Sequence, residues 1–147
     1  MKMAFDEVAQ TSSSGIGGPF GACIVKNGEV IAVASNTVLR DKDPTCHAEM
    51  NAIRKACKIL DTYDLSDCVL YTTGYPCPMC LSAIIWANIK TVYYGCRAKD
   101  AEYIGFRDDM IYRYINGSEK NILHVEQLNR KDCLKLFEDY TKNGVIY

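Results

Sequence analysis

The sequence has no excess of either charge sign: 17 Lys and Arg stand against 18 Asp and Glu, a net charge of −1 over 147 residues. That balance excludes a broad positive field for gripping a nucleic-acid backbone and favours a small uncharged substrate. No apolar run reaches the roughly 18 residues of a membrane span. The first ten residues, MKMAFDEVAQ, place Asp6 and Glu7 where a secretory peptide needs an apolar centre. The expected location is therefore the cytoplasm, with no membrane partner. Internal repeats, low-complexity tracts and domain linkers are also lacking, and the length suits one domain with a real core. Apolar residues at 48% and charged residues at 24% exclude disorder as a main theme.

Cysteine is plentiful, at eight residues. In a small secreted domain this would mark a disulfide framework, but a reducing cytosol keeps thiols free, and their spacing then carries the information. Cys23, Cys57, Cys68, Cys96 and Cys133 fall in strand or helix patterns, where free cysteine acts as a small buried hydrophobe.

The chain alternates helical and extended patterns. A short helix is predicted over Met3 to Gln10, then a TSSSGIGG loop that breaks helical period and is not a phosphate cradle. FGACIVKNGEVIAVASN reads as two strands about Asn27-Gly28, the dipeptide suited to a type I′ turn. LRDKDPT is read as a polar loop, and Cys46 to Leu60 as an amphipathic helix with Ala52, Ile53, Ala56, Cys57 and Leu60 on its apolar face. Cys68–Thr73 and Thr91–Gly95 are strands flanking an apolar helix over Cys77–Ala87, an order that implies parallel pairing. Weaker patterns place helical turns near Ala98–Ile104 and Asp109–Ile115, a strand at Ile122–Glu126 and a last helix at Arg130–Lys142. The sum is an α/β domain with a central sheet of about five strands and helices on both faces.

The chemistry is concentrated in His47-Ala48-Glu49 and Pro76-Cys77-Pro78-Met79-Cys80. One histidine and two cysteines supply three zinc ligands, which leaves a fourth position open to water. Cys77 and Cys80 lie three apart at a helix start, where backbone N–H groups favour thiolates. Glu49 is placed to take a proton from water and return it to a ring nitrogen and a leaving amine. A C-x-x-C alone also fits a redox pair or half of a structural zinc site, and a lone helical His is usually packed. In this order and at two helix starts, however, H-x-E and P-C-x-x-C form the zinc deaminase pattern. A four-ligand structural site would recruit Cys46, but adjacent side chains diverge.

The longer stretches DPTCHAEMNAIRKACK, PCPMCLSAIIWA and GFRDDMIY resemble the cytidine deaminase-like superfamily, and within it the bacterial guanine deaminases, from about Gly17 to Tyr114. The resemblance implies a three-layer α/β/α fold, one Zn²⁺ per subunit, and attack of activated water at C2 of guanine to give xanthine and ammonia. By position it implies that His47, Cys77 and Cys80 hold zinc, that Glu49 is the general acid and base, and that Asp108 is a second carboxylate assisting the amino group. Asn36 would hydrogen-bond the base, Phe20 would pack against it, and Ala48 and Trp86 would belong to the substrate site. It further implies a homodimer that exchanges a C-terminal segment, about residues 130–147, with Tyr147 closing the partner's pocket.

Each carried-over role has a plainer rival. Asp108 in DDM also suits a helix N-cap, although its ionised carboxylate is an acceptor for the N1 and 2-amino donors of guanine. Asn36 suits a strand end, Trp86 simple core packing, and Tyr147 a frayed terminus. Two departures stand out: Gly74-Tyr75 occupies the place where the family usually has a glutamate before Pro-Cys, and the first helix is short, so a less covered sheet edge is expected.

Three other readings compete, the first being deamination of a related aminated ring such as an aminopurine or aminotriazine. A tRNA adenosine deaminase shares both motifs but must also grip an RNA loop. The basic residues Arg130, Lys131, Lys135 and Lys142 are interrupted by Glu138 and Asp139, which reads as a solvated helix face. A purely structural zinc module has no need of Glu49 beside an open coordination position.

Overall fold

The computed structural model describes residues 1–146, so Tyr147 lies outside the described part. Two compact units are present, Met1–Tyr112 and the residues from Arg113 onward.

The first unit is built on a sheet of order β2-β1-β3-β4. Strands β1 (Gly21–Lys26) and β2 (Glu29–Ser35) form the expected hairpin. Asn27 and Gly28 both take positive φ, 50° and 83°, as a type I′ turn demands. β1 also pairs antiparallel with β3 (Cys68–Gly74), and β3 pairs parallel with β4 (Thr91–Cys96). The parallel step needs a crossover, supplied by helix α4 (Pro78–Trp86).

Side chains alternate across the sheet, and each face has its own cover. Ala22, Ile24 and Leu70 share a core cluster with Ala52 and Ala56 of helix α3 (Ala48–Leu60) and with Ile84 of α4. On the opposite face, α1 (Lys2–Thr11) packs on β1 and β2 so closely that a Cβ on Gly21 would run into the Ala4 carbonyl and the Val8 methyl. The unit is thus a three-layer α/β/α arrangement. The first helix, at ten residues, is longer than expected and covers the sheet with a fully buried Ala4. A short helix α2 (Val38–Asp41) forms within the stretch read as a polar loop, with Thr37 Oγ1 donating to Asp41 Oδ2 at 2.6 Å. Helix α5 (Ala98–Tyr103) follows β4, and α6 (Asp109–Ile115) begins at the end of this unit.

In the second unit the main element is α7 (Arg130–Asn143). The strand expected at Ile122–Glu126 does not form, which leaves four strands rather than five among the described residues. A strand exists only with a partner ladder, and this unit contains no other strand among the described residues. Ile122, Leu123 and Val125 are exposed.

All eight cysteines are free. Cys23 and Cys68 are buried as expected and Cys57 is half-buried, whereas Cys96 and Cys133 are exposed, because the end of β4 and helix α7 are left open to solvent. Among the described residues no helix is long and apolar enough to cross a membrane.

Candidate active site

Two helix starts meet above the sheet. His47 is the N-cap of α3 and Cys77 the N-cap of α4, both in extended backbone conformation, so each side chain leaves its helix at the end rather than along its flank. Cys80 follows in the first turn of α4, fully buried. His47 Nδ1 lies 3.6 Å from the Sγ atoms of both Cys77 and Cys80. The three donor atoms all fall within 4.8 Å of one another.

This spacing fits zinc. Ligands at the usual Zn–N and Zn–S lengths, a tetrahedral angle apart, are separated by about 3.6 Å. A hydrogen bond with Cys80 holds the Cys77 thiol well below its usual range, which favours the thiolate, the form that ligates metal. The same bond pushes the Cys80 thiol up, and the Cys77 hydrogen bond raises His47 against the opposing effect of burial.

Glu49, in the first turn of α3, is buried beside these sulfurs. Thr72 Oγ1 donates to its Oε1 at 2.9 Å, and Cys80 Sγ lies 3.5 Å from its Oε2. Burial pushes the Glu49 carboxyl above the usual range, opposed by the hydrogen bond from Thr72. A carboxyl so poised suits a group that must both accept and return a proton.

The cluster of His47, Cys77 and Glu49 opens into a cavity of about 330 Å³. His47, Glu49 and Cys77 line its floor, with Phe20, Tyr75 and Asp108 among the walls. Phe20 packs edge-on against Phe106 at 4.9 Å between ring centroids. Burial raises the Asp108 carboxyl. The Asp108 carbonyl accepts the first backbone bonds of α6 from Ile111 and Tyr112, while its side chain lines the cavity, so one residue serves both as helix start and as cavity wall.

Other expected positions stand further off. Asn36 is buried and is not among the cavity's lining residues, and its Oδ1 accepts bonds from the Gly18 and Val38 amides, each at 3.2 Å. No partner is found for its Nδ2 among the described residues. Ala48 is fully buried in the core cluster and does not line the cavity. Trp86 is 75% exposed and is not among the residues that line the cavity. Six residues past Cys80, it has turned off the face of α4 that Cys80 and the buried Ile84 share.

Two contributors escaped the sequence. Thr72 holds Glu49, and its signal was a hydroxyl at a core-facing position of CVLYTT. Asn51 donates through Nδ2 to the Ser35 carbonyl, Thr37 Oγ1 and the Cys46 carbonyl, at 3.1, 2.9 and 3.3 Å. It thereby ties the end of β2 to the loop that carries His47, and no local pattern announces that.

A histidine and two cysteines at zinc-ligand spacing, with a buried glutamate at the floor of a cavity between a sheet and two helix N-termini, define a zinc-dependent deaminase centre. Residues 1–96 match the family profile described as the cytidine and deoxycytidylate deaminase zinc-binding region, and the chain belongs to that family. It is 52% identical over 139 residues to guanine deaminase of Bacillus subtilis, which covers 94% of this chain and 89% of that one. The X-ray structure of guanine deaminase from Bacillus subtilis superposes with a TM-score of 0.93 and 44% identity, covering 99% of this chain and 95% of that one. A tRNA-specific adenosine deaminase of Buchnera aphidicola subsp. Schizaphis graminum is 32% identical over 126 residues, 85% of this chain and 81% of that one.

Proposed function

We propose that the protein is a zinc-dependent aminohydrolase that converts guanine to xanthine and ammonia. The observation that carries this reading is the triad of His47, Cys77 and Cys80 with buried Glu49 at the floor of a base-sized cavity, in a chain half identical to a guanine deaminase. His47, Cys77 and Cys80 would hold the metal, and zinc there would supply a nucleophile at neutral pH by lowering the pKa of water.

Glu49 moves the protons. Thr72 ties Oε1, so Oε2, on the side of Cys80, is the oxygen that receives the proton of the attacking water. It delivers that proton to the ring nitrogen next to the reacting carbon, and a second one to the departing amine. Asp108 accepts from the N1 and 2-amino donors and so orients guanine with C2 towards the floor. Phe20 packs on the base, and the Asn36 Nδ2 is a donor held ready by the two amides that grip its oxygen.

The proposed assembly is a homodimer exchanging the segment from about residue 130. Supporting it are apolar side chains left in solvent, at Ile85 and Trp86 on α4 and at Leu136, Phe137, Val145 and Ile146 towards the C-terminus. Trp86 and Tyr147 would then serve the partner's site. Free thiols throughout fit a reducing compartment, and the cytoplasm is the proposed location.

The test is ammonia release by zinc-quantified protein from guanine, adenine, cytosine, their nucleosides, ammeline and an anticodon stem-loop RNA. Release from guanine with xanthine appearing is expected. Turnover of the RNA alone would overturn the reading in favour of tRNA adenosine deamination.

A further inference from the structure

Tyr75 lines the cavity but takes no part in metal binding or proton transfer. It is fixed from two sides. Its backbone N–H donates to the Cys96 carbonyl at 2.8 Å, which fastens the connection between β3 and α4 to the end of β4. Its ring meets that of Tyr94 edge-on, with centroids 5.0 Å apart and planes at 89°. Such a contact holds an aromatic side chain in one orientation.

The cavity deepens from a rim to a floor. Glu49 at the floor is 5% exposed, whereas Tyr75 and Phe106 are 41% and 46% exposed at the mouth. Each rim ring is braced by another: Phe106 by Phe20, and Tyr75 by Tyr94. Gly74 contributes by what it lacks, since a Cβ there would press on the Phe20 ring at 3.3 Å. A substrate whose reacting carbon sits against Glu49 must point its opposite end at this collar. In a purine reacting at C2, that end is the five-membered ring, which carries N9.

We propose that Tyr75, held by Tyr94, is the specificity-determining residue that confines the site to free nucleobases, because its ring stands at the rim where the sugar of a nucleoside would leave the cavity. This rests on the guanine-deaminating reading of the site. Tyr75 acts by the space its ring occupies and by the flat surface it offers to the base, while the floor residues carry out the reaction.

The experiment compares kcat/KM for guanine and guanosine in the zinc-loaded wild type, Tyr75→Ala, Tyr75→Phe and Tyr94→Ala, with zinc content and melting temperature recorded for each. The wild type should prefer the base. Tyr75→Ala should shrink that preference about tenfold or more, Tyr75→Phe should retain it, and Tyr94→Ala should shift it in the same direction by less. A preference untouched in Tyr75→Ala overturns the proposal, as does a wild type that accepts the nucleoside as readily as the base. If the wild type leaves guanine intact, the functional reading falls on its own. Calorimetric titration with 8-azaguanine and 8-azaguanosine then decides on Tyr75 by the same comparison, and binding of neither overturns both.

Discussion

Thr72 Oγ1 donates a 2.9 Å hydrogen bond to Glu49 Oε1, between two residues that are both buried and stand on different elements. The carboxylate is thereby held by one oxygen while the other faces the metal ligands. Thr72→Val, which keeps the shape and removes the donor, should lower kcat by about tenfold to a hundredfold with little change in KM. It should also destabilise the fold by about 1–3 kcal/mol. Steady-state kinetics with urea unfolding checks both, and an unchanged kcat would show that the tether does not orient Glu49.

Glu49→Gln preserves size but can no longer take up a proton. Turnover should fall by about 10²–10⁴-fold, with full zinc content by metal analysis and an unchanged circular dichroism spectrum. Substantial activity in this variant would remove Glu49 as the proton carrier.

Metal removal should affect stability as well as activity. The three ligands come from the ends of two helices and are brought together only in the folded chain, so zinc binds the native state preferentially. A chelator should lower the melting temperature and added zinc restore it, with a stabilisation of about 4 kcal/mol when free zinc exceeds its Kd a thousandfold. Cys77→Ser should blunt the response to zinc.

Asp108 carries a pH signature opposite to that of Asp41, Asp43, Asp67 and Asp100, whose carboxyls are lowered by hydrogen bonds. Burial raises its carboxyl in the folded protein above the unfolded value. Its contribution to stability is therefore fully present below the unfolded value and is lost as the pH rises through the folded one. Asp108→Asn should consequently unfold at a higher denaturant concentration than wild type at neutral pH, with the difference closing below the ordinary carboxylate range. Activity on guanine should nevertheless fall sharply. A variant less stable than wild type at neutral pH would mean that ionised Asp108 is favourably paired in solution.

Gly21→Ala tests the outer layer of the fold. The added methyl would meet the Ala4 carbonyl and Val8, forcing α1 away from the sheet. The expected loss is about 1–3 kcal/mol in denaturant unfolding, with kcat affected less than stability because the clash falls on α1, across the sheet from α3.

Much of the chain could be read in advance because its signals are local. Asn27-Gly28 set the hairpin by their positive φ, Ala52 and Ala56 marked the buried stripe of α3, and H-x-E with P-C-x-x-C placed the candidate donors His47, Cys77 and Cys80 at two helix starts. The misreadings were of features that depend on partners. Ile122–Glu126 has strand-like composition but no ladder to join in its own unit, and α1 runs further than its local pattern announces because Ala4 and Val8 pack on the sheet.

The sequence by itself determined the reagents: one histidine, two cysteines and a glutamate, spaced as only helix ends can use them. What the tertiary structure alone decided was their arrangement. His47 and Cys77 are 30 residues apart in the chain and 3.6 Å apart in space because α3 and α4 pack on the same face of one sheet. That face also brings Thr72 to Glu49, and the ends of β3 and β4 bring Tyr75 to Tyr94. Such meetings are products of packing between distant segments, which local spacing and propensity do not encode.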